Sequence, residues 1–423
     1  IMIYSRNVIF IILMLFNVVI NSESILIQNV TIFDGKNNQP FVGNVLIDDN
    51  KISKVSTSSL RGDLVINGTG KILTPGIIST DTEIGIVEIG ALSVTRDDSS
   101  NLYQIGFSIY DAFNPNSVLI PWNRSNGITS TLTLPQNTNS PIGGLGSFFV
   151  LDSKLEISGS KDVVMIGRVG GSGSESRAET FAIIEDLLEF ASSIDSSDMK
   201  SYKDIAELIG DSPIAETMEL HPRDLKALYK LVNDGLPLII KANRASDILK
   251  LIKLKETYDL NLIIMGAQEA GLVASKIAEN RIPLIINPIN NIPESFDELG
   301  ANIELAGKLE DLGITLMFNA PRDHNYHLIR QGAGVAVANG MSYAGALKAI
   351  TLSPVEVFNL GNRGEIASGK IADLIIWDAD PLEPSSMPEK VFINGKDIDL
   401  TSRMSRLTER YTKNKEKPNG FRN

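Results

Sequence analysis

The sequence predicts an α/β protein: a (β/α)8 TIM-like barrel with β-rich segments at both chain ends. Three observations predict it. Over residues 73–360, apolar strand-length runs alternate with amphipathic helical patterns. Residues 23–72 and 361–398 carry strand character and hairpin signals without a helical period. No Gly-rich phosphate loop opens a helix after the first strand, which weighs against the alternative, a doubly wound sheet.

The elements follow in order. Arg6 and the apolar run VIFIILMLFNVVI (8–20) read as an export signal over residues 1–22. The run is shorter than the ~20 residues a spanning helix needs. A retained anchor and a buried element are the alternatives. Export implies a periplasmic or extracellular location. ILIQNVTIFDGKNN (25–38) is a β-branched run ending at Asp34-Gly35, and NVLIDDNKISKV (44–55) turns at Asp49-Asn50; both read as hairpins. LPLIIKA (236–242), LNLIIMG (260–266), IPLIINP (282–288) and ITLMFN (314–319) are uninterrupted apolar runs, as strands buried on both faces require. GGLGS (143–147) reads as a Gly-rich turn, and VGGSGSESR (169–177) as a surface loop or a cover for a substrate. GEIASGKIADLIIWDADPL (364–382) and the hairpin around Asn394-Gly395 return to strand character. Remote segments of this kind can pair into one sheet when a domain is inserted between them. Residues 399–423 form a basic, polar tail.

Composition narrows the chemistry. A 423-residue chain that is 43% hydrophobic can bury sizeable cores. Its net charge of −12 argues against nucleic acid as a partner. There is no cysteine, so disulfides, thiolate metal sites and cysteine nucleophiles are excluded. Only three histidines are present, His221, His324 and His327. There is no G-x-S-x-G elbow for a serine nucleophile.

GKILTPGIISTDTEIG (70–85), AITLSPVEVFNLGNRGEIASGKIADLIIWDADPL (349–382) and VFINGK (391–396) together resemble the amidohydrolase superfamily, in its imidazolonepropionase-like and related secreted branch. The resemblance covers roughly residues 25–400. It implies a metal-dependent-hydrolase barrel (73–360) and a composite β-sandwich from segments 23–72 and 361–398. It also implies hydrolysis of carbon–nitrogen bonds by one or two divalent metals at the barrel mouth, which polarise the carbonyl and activate water. Those metals are held by a His-x-His pair on the first strand, often a lysine or glutamate mid-barrel, histidines on the fifth and sixth strands and an aspartate on the eighth.

This chain departs from that pattern. Asp81 and Glu83 stand at the first-strand histidine positions, Lys241 at the fifth-strand position and Met265-Gly266 at the sixth. Asn319 ends the eighth-strand run, and Asp323 is the nearest acid. The i, i+2 spacing puts Asp81 and Glu83 on one strand face, where two carboxylates suit a hard cation such as Mg²⁺ or Ca²⁺. A second reading has Lys241 forming an ion pair with them in place of the metal. His221 precedes a helix, as a cap, a surface residue or a substrate contact. His324 and His327, spaced i, i+3 beside Asp323, form a relocated acid–base cluster or pack at the mouth while Asp323 caps a helix. The candidate catalytic residues are therefore Asp323, Lys241 and His324. Candidate substrate contacts are Asp81, Glu83, Asn243, Arg244, Asn319 and His327. Asp81 and Glu83 are the metal candidates, and no cofactor is assigned. The expected function is hydrolysis of a small amide, cyclic amide or dipeptide, with a degenerate metal site. The alternative is a non-catalytic, ligand- or partner-binding pseudoenzyme of the cell envelope. The expected partner is a small molecule at the barrel mouth, and a homo-oligomer is compatible with the sequence.

Overall fold

The computed structural model describes residues 23–136, 140–170, 176–322 and 324–413. The expected export signal, most of the Gly/Ser loop, Asp323 and the end of the tail lie outside them. No helix among the described residues is long and apolar enough to cross a membrane.

The chain opens with β1 (Ile25–Ile32), β2 (Phe41–Asp48), β3 (Lys51–Ser56), β4 (Leu64–Asn67) and β5 (Ile72–Pro75). The barrel sheet follows: β6 (Ile77–Thr82), β7 (Ile128–Thr133), β8 (Ile142–Val150), β9 (Gly159–Arg168), β10 (Leu238–Ala242), β11 (Leu262–Gly266), β12 (Leu284–Ile286) and β13 (Leu316–Phe318). The chain returns through β14 (Leu374–Trp377), β15 (Pro388–Ile393) and β16 (Lys396–Asp397).

Strands β6 to β13 pair in sequence order as one eight-stranded sheet. A bridge between Thr80 and Asn319 brings its edges together, and the Thr80 hydroxyl donates to the Phe318 carbonyl at 2.6 Å. The result is a nearly closed barrel filled by apolar runs such as Ile239, Ile240, Ile263, Ile264 and Ile285. The expected regular (β/α)8 pattern is broken at one strand, because β8 runs antiparallel to both neighbours. Its connections, 134–141 and 151–158, are shorter than the dozen or so residues a parallel crossover needs. Residues 143–147, expected as a turn, lie inside this fully buried strand.

The two chain ends build a second eight-stranded sheet, ordered β16-β15-β14-β5-β1-β2-β3, with β4 beside β1. The joint is β5 against β14, from Pro75 opposite Leu374 to Ile72 opposite Trp377. A bridge from Lys51 to Ile371 curls the sheet on itself, around Ile27, Ile47, Leu73, Leu374 and Phe392. Strand pairing therefore joins the two chain ends in one curled eight-stranded sheet.

The closing motif fastens this sheet to the barrel. Buried Asp373 accepts from Arg363 at 2.5 Å and from the Asn394 N–H at 2.8 Å. Trp377 Nε1 donates to Thr74 at 2.8 Å. Tyr343 donates to Asp380 at 2.7 Å. Arg330 stacks over Trp377 and donates to the Pro381, Glu383 and Ser386 carbonyls. The Pro75-Gly76 step leads directly into β6. A Cβ at Gly76 would lie 2.2 Å from the Thr129 hydroxyl of β7, so only glycine permits this approach.

Candidate active site at the barrel mouth

A cavity of about 500 Å³ opens at the C-terminal ends of the barrel strands. Asp81, Lys241, Asn243, Asn319 and Arg322 are among the residues that line it. A neighbouring cavity of about 310 Å³ shares Lys241, Asn243, Glu294 and Glu298 with it. The walls are polar and amide-rich, with Gln136, Gln268, Asn287 and Asn290 contributing.

Asp81 sits at the end of β6 with φ +57°, where the register between β6 and β7 shifts. This left-handed turn, and not simple strand alternation, aims its carboxylate. The carboxylate accepts from Arg322 Nε at 2.6 Å and from Asn319 Nδ2 at 2.9 Å. Glu83 lies just beyond the strand. It accepts from Gln136 at 3.2 Å and lies 3.4 Å from Arg96 and 3.5 Å from Arg322. Arg96 in turn holds buried Asp98 at 2.5 Å. The mouth floor is thus a ladder of alternating charge: Asp98, Arg96, Glu83, Arg322, Asp81. Burial pulls the Arg322 guanidinium down, but Asp81 and Glu83 more than offset this and hold its pKa above the ordinary value. Burial pushes the Tyr326 hydroxyl well above its ordinary pKa, so the phenol stays protonated while its oxygen accepts the Glu83 N–H at 3.1 Å.

The cation expected to pair with Asp81 and Glu83 was Lys241. The structure gives that role to Arg322. Lys241 is exposed on the cavity wall and pairs with no described carboxylate. At the sixth-strand position, Gly266 has φ +90°, and a Cβ there would lie 2.3 Å from Asn243 Oδ1. No larger side chain fits without moving Asn243, whose Nδ2 donates to Glu298 at 2.7 Å. Asn319 lines the cavity. Arg244 is not among the lining residues and pairs with Asp297 at 2.7 Å.

The histidines lie elsewhere. His221 caps the helix Pro222–Asn233: its Nδ1 accepts the Arg223 N–H at 3.1 Å, and its Nε2 lies 3.0 Å from the Tyr202 hydroxyl. His327 packs edge-on against Trp122, and its backbone N–H donates to Asn123 Oδ1 at 3.1 Å. His324 is exposed, and neither His324 nor His327 is among the residues lining the two mouth cavities. Asp323 lies outside the described residues, so the Asp323–His324–His327 cluster has no described acid. Among the described residues no group of three His, Asp or Glu side chains is arranged to hold a metal ion. The residues that sequence reasoning missed are Arg322, Arg96, Gln136 and Gln268. Arg322 directly precedes Asp323 in APRDHNYH, and an acid draws attention when a metal ligand is sought.

Comparison with known proteins agrees with this architecture. Residues 241–398 match the model of the amidohydrolase family. The chain is 23% identical over 405 residues to amidohydrolase tasK of Hapsidospora irregularis, an alignment covering 84% of this chain and 40% of that protein. The chain therefore spans about two fifths of that relative's length. A 68-residue stretch is 43% identical to 5'-deoxyadenosine deaminase of Methanothermobacter thermautotrophicus, covering 16% of each chain. The crystal structure of an amidohydrolase from Thermotoga maritima MSB8 superposes with a TM-score of 0.75 at 24% identity, covering 89% of this chain and 99% of that one. The structure of molinate hydrolase superposes at 0.54 and 17% identity, covering 90% and 95%. Residues 241–398 thus carry the amidohydrolase family match, and the barrel shares its fold with the Thermotoga maritima amidohydrolase.

Proposed function

We propose that the barrel mouth takes a small carbon–nitrogen compound, such as an amide, a cyclic amide or a dipeptide, at a degenerate metal site. The observation that carries this reading is Arg322, whose guanidinium holds the Asp81 carboxylate at 2.6 Å. The family's centre needs several free donors converging on one point. Here Asp81 is bonded to Arg322 and Asn319, and Glu83 to Gln136 with Arg96 and Arg322 beside it. Lys241 cannot ligate while protonated, and Gly266 has no side chain. A divalent ion would have to displace Arg322, so the residues present do not fit the group.

The chain's own residues can still bind and polarise. Lys241 and the cavity amides offer N–H donors to a carbonyl oxygen, a contact that strengthens as negative charge develops there. A second reading, ligand capture without turnover, draws support from the engagement of both acids, which leaves neither free to activate water.

A panel of N-acylated amino acids, cyclic amides and dipeptides, assayed with and without chelator, tests the proposal. Any turnover is expected to be insensitive to chelator. Turnover abolished by chelator and restored by zinc or manganese would overturn it.

A further inference from the structure

Two cations stand side by side beyond the charge ladder. Arg168, at the end of β9, is the register partner of Lys241 in β10. Register partners on adjacent strands project from the same face of a sheet. Both residues line the 310 Å³ cavity, and neither has an ion-pair partner among the described residues. Asp297, which also lines this cavity, is taken by two arginines outside its lining, Arg177 and Arg244. Glu294, Asp297 and Glu298 line the same cavity. Asn243 and Gln268 line the larger cavity, and their amide oxygens are buried with no hydrogen-bond partner among the described residues.

We infer that Arg168 and Lys241 form an anion subsite that receives the carboxylate of a small ligand. Two adjacent cations repel each other and are stabilised when an anion bridges them; a guanidinium and an ammonium both donate charge-assisted hydrogen bonds to carboxylate oxygens. The acids lining the same cavity set the class: a phosphate dianion would meet more of their repulsion than a singly charged carboxylate. The inference rests on the mouth being the ligand site; it uses Lys241 as a cation and needs no metal.

Calorimetric titration of the full chain tests it, with N-acetylglycine, its neutral amide N-acetylglycinamide and inorganic phosphate as probes. N-acetylglycine is expected to bind at least about tenfold more tightly than either other probe. Arg168→Gln and Lys241→Gln should each weaken it about tenfold or more, while Arg168→Lys, which keeps the charge, retains most of the binding. If Arg168→Gln does not fold, Lys241→Gln and Arg168→Lys decide the same question. Equal binding of acid and amide, unchanged binding by a folded Arg168→Gln, tighter binding of phosphate, or no binding of N-acetylglycine would each overturn the subsite. Equal binding of acid and amide removes only the subsite. Metal-dependent turnover would instead remove the degenerate metal site and leave the subsite standing.

Discussion

At the residue scale, Arg322 organises the mouth. It joins two acids whose charges would otherwise repel across a partly dry cavity, and its planar fork reaches both. Arg322→Gln is expected to lower stability by ~2 kcal/mol, less than for a fully buried pair because about a quarter of the Arg322 side chain is exposed. Arg322→Lys should recover only part of that, since an ammonium lacks the fork. Urea denaturation reads both. Gly266→Ala should cost ~1–3 kcal/mol, through its positive φ and through contact with Asn243; an unchanged midpoint would mean that Asn243 yields freely. The positions of Asp81, Asn243, Asn319 and Lys241 around the cavity were legible in the sequence because strand ends at a barrel mouth are predictable from the apolar runs. Their partners were not. Which basic residue meets Asp81 depends on the backbone turn after β13 and on the left-handed bend at Asp81, and no periodicity encodes either.

At the element scale, strand order is set by connection length as well as apolar pattern. The run IGGLGSFFV (142–150) is rich in glycine, a poor strand former, so propensity alone reads a turn. Burial on both faces overrides this: a Cβ at Gly146 would lie 2.4 Å from Leu134, so the small residues let neighbouring strands approach. The closing motif, by contrast, was legible as a pattern, although its work is structural. Asp373→Asn should cost ~3 kcal/mol by leaving the Arg363 charge buried without its partner. The same variant should raise hydrogen exchange around Asn394. At the start of β4, the Ser24 hydroxyl and N–H donate to Asp63 at 2.7 and 2.9 Å and hold its carboxyl below the ordinary 3.8. The folded value lies below the unfolded one. The contribution is therefore complete above the unfolded value and is lost as the pH falls through the folded one. Protection of the Leu64 amide relative to its intrinsic exchange rate is expected to fall in acid below pH 3.8, and Asp63→Asn should remove that acid dependence.

At the scale of the whole molecule, the barrel and the terminal sheet are interlocked rather than merely adjacent. β5 leads through Gly76 into β6, β14 pairs back onto β5, and Arg330 reaches from a barrel helix to the segment between β14 and β15. Truncating either chain end would open the sheet at its β5–β14 joint and expose Leu73, Leu374 and Phe392. Heat should unfold both sheets in one transition. The mouth is then a rigid frame in which charge has been redistributed: acids on β6, Lys241 on β10, and a guanidinium bridging from beyond β13. The most direct test of that redistribution is elemental analysis of the purified, dialysed chain after incubation with zinc, manganese or magnesium. The account predicts metal well below one equivalent per chain, unchanged by Asp81→Ala. One tightly held equivalent that Asp81→Ala or Glu83→Ala removes would contradict it.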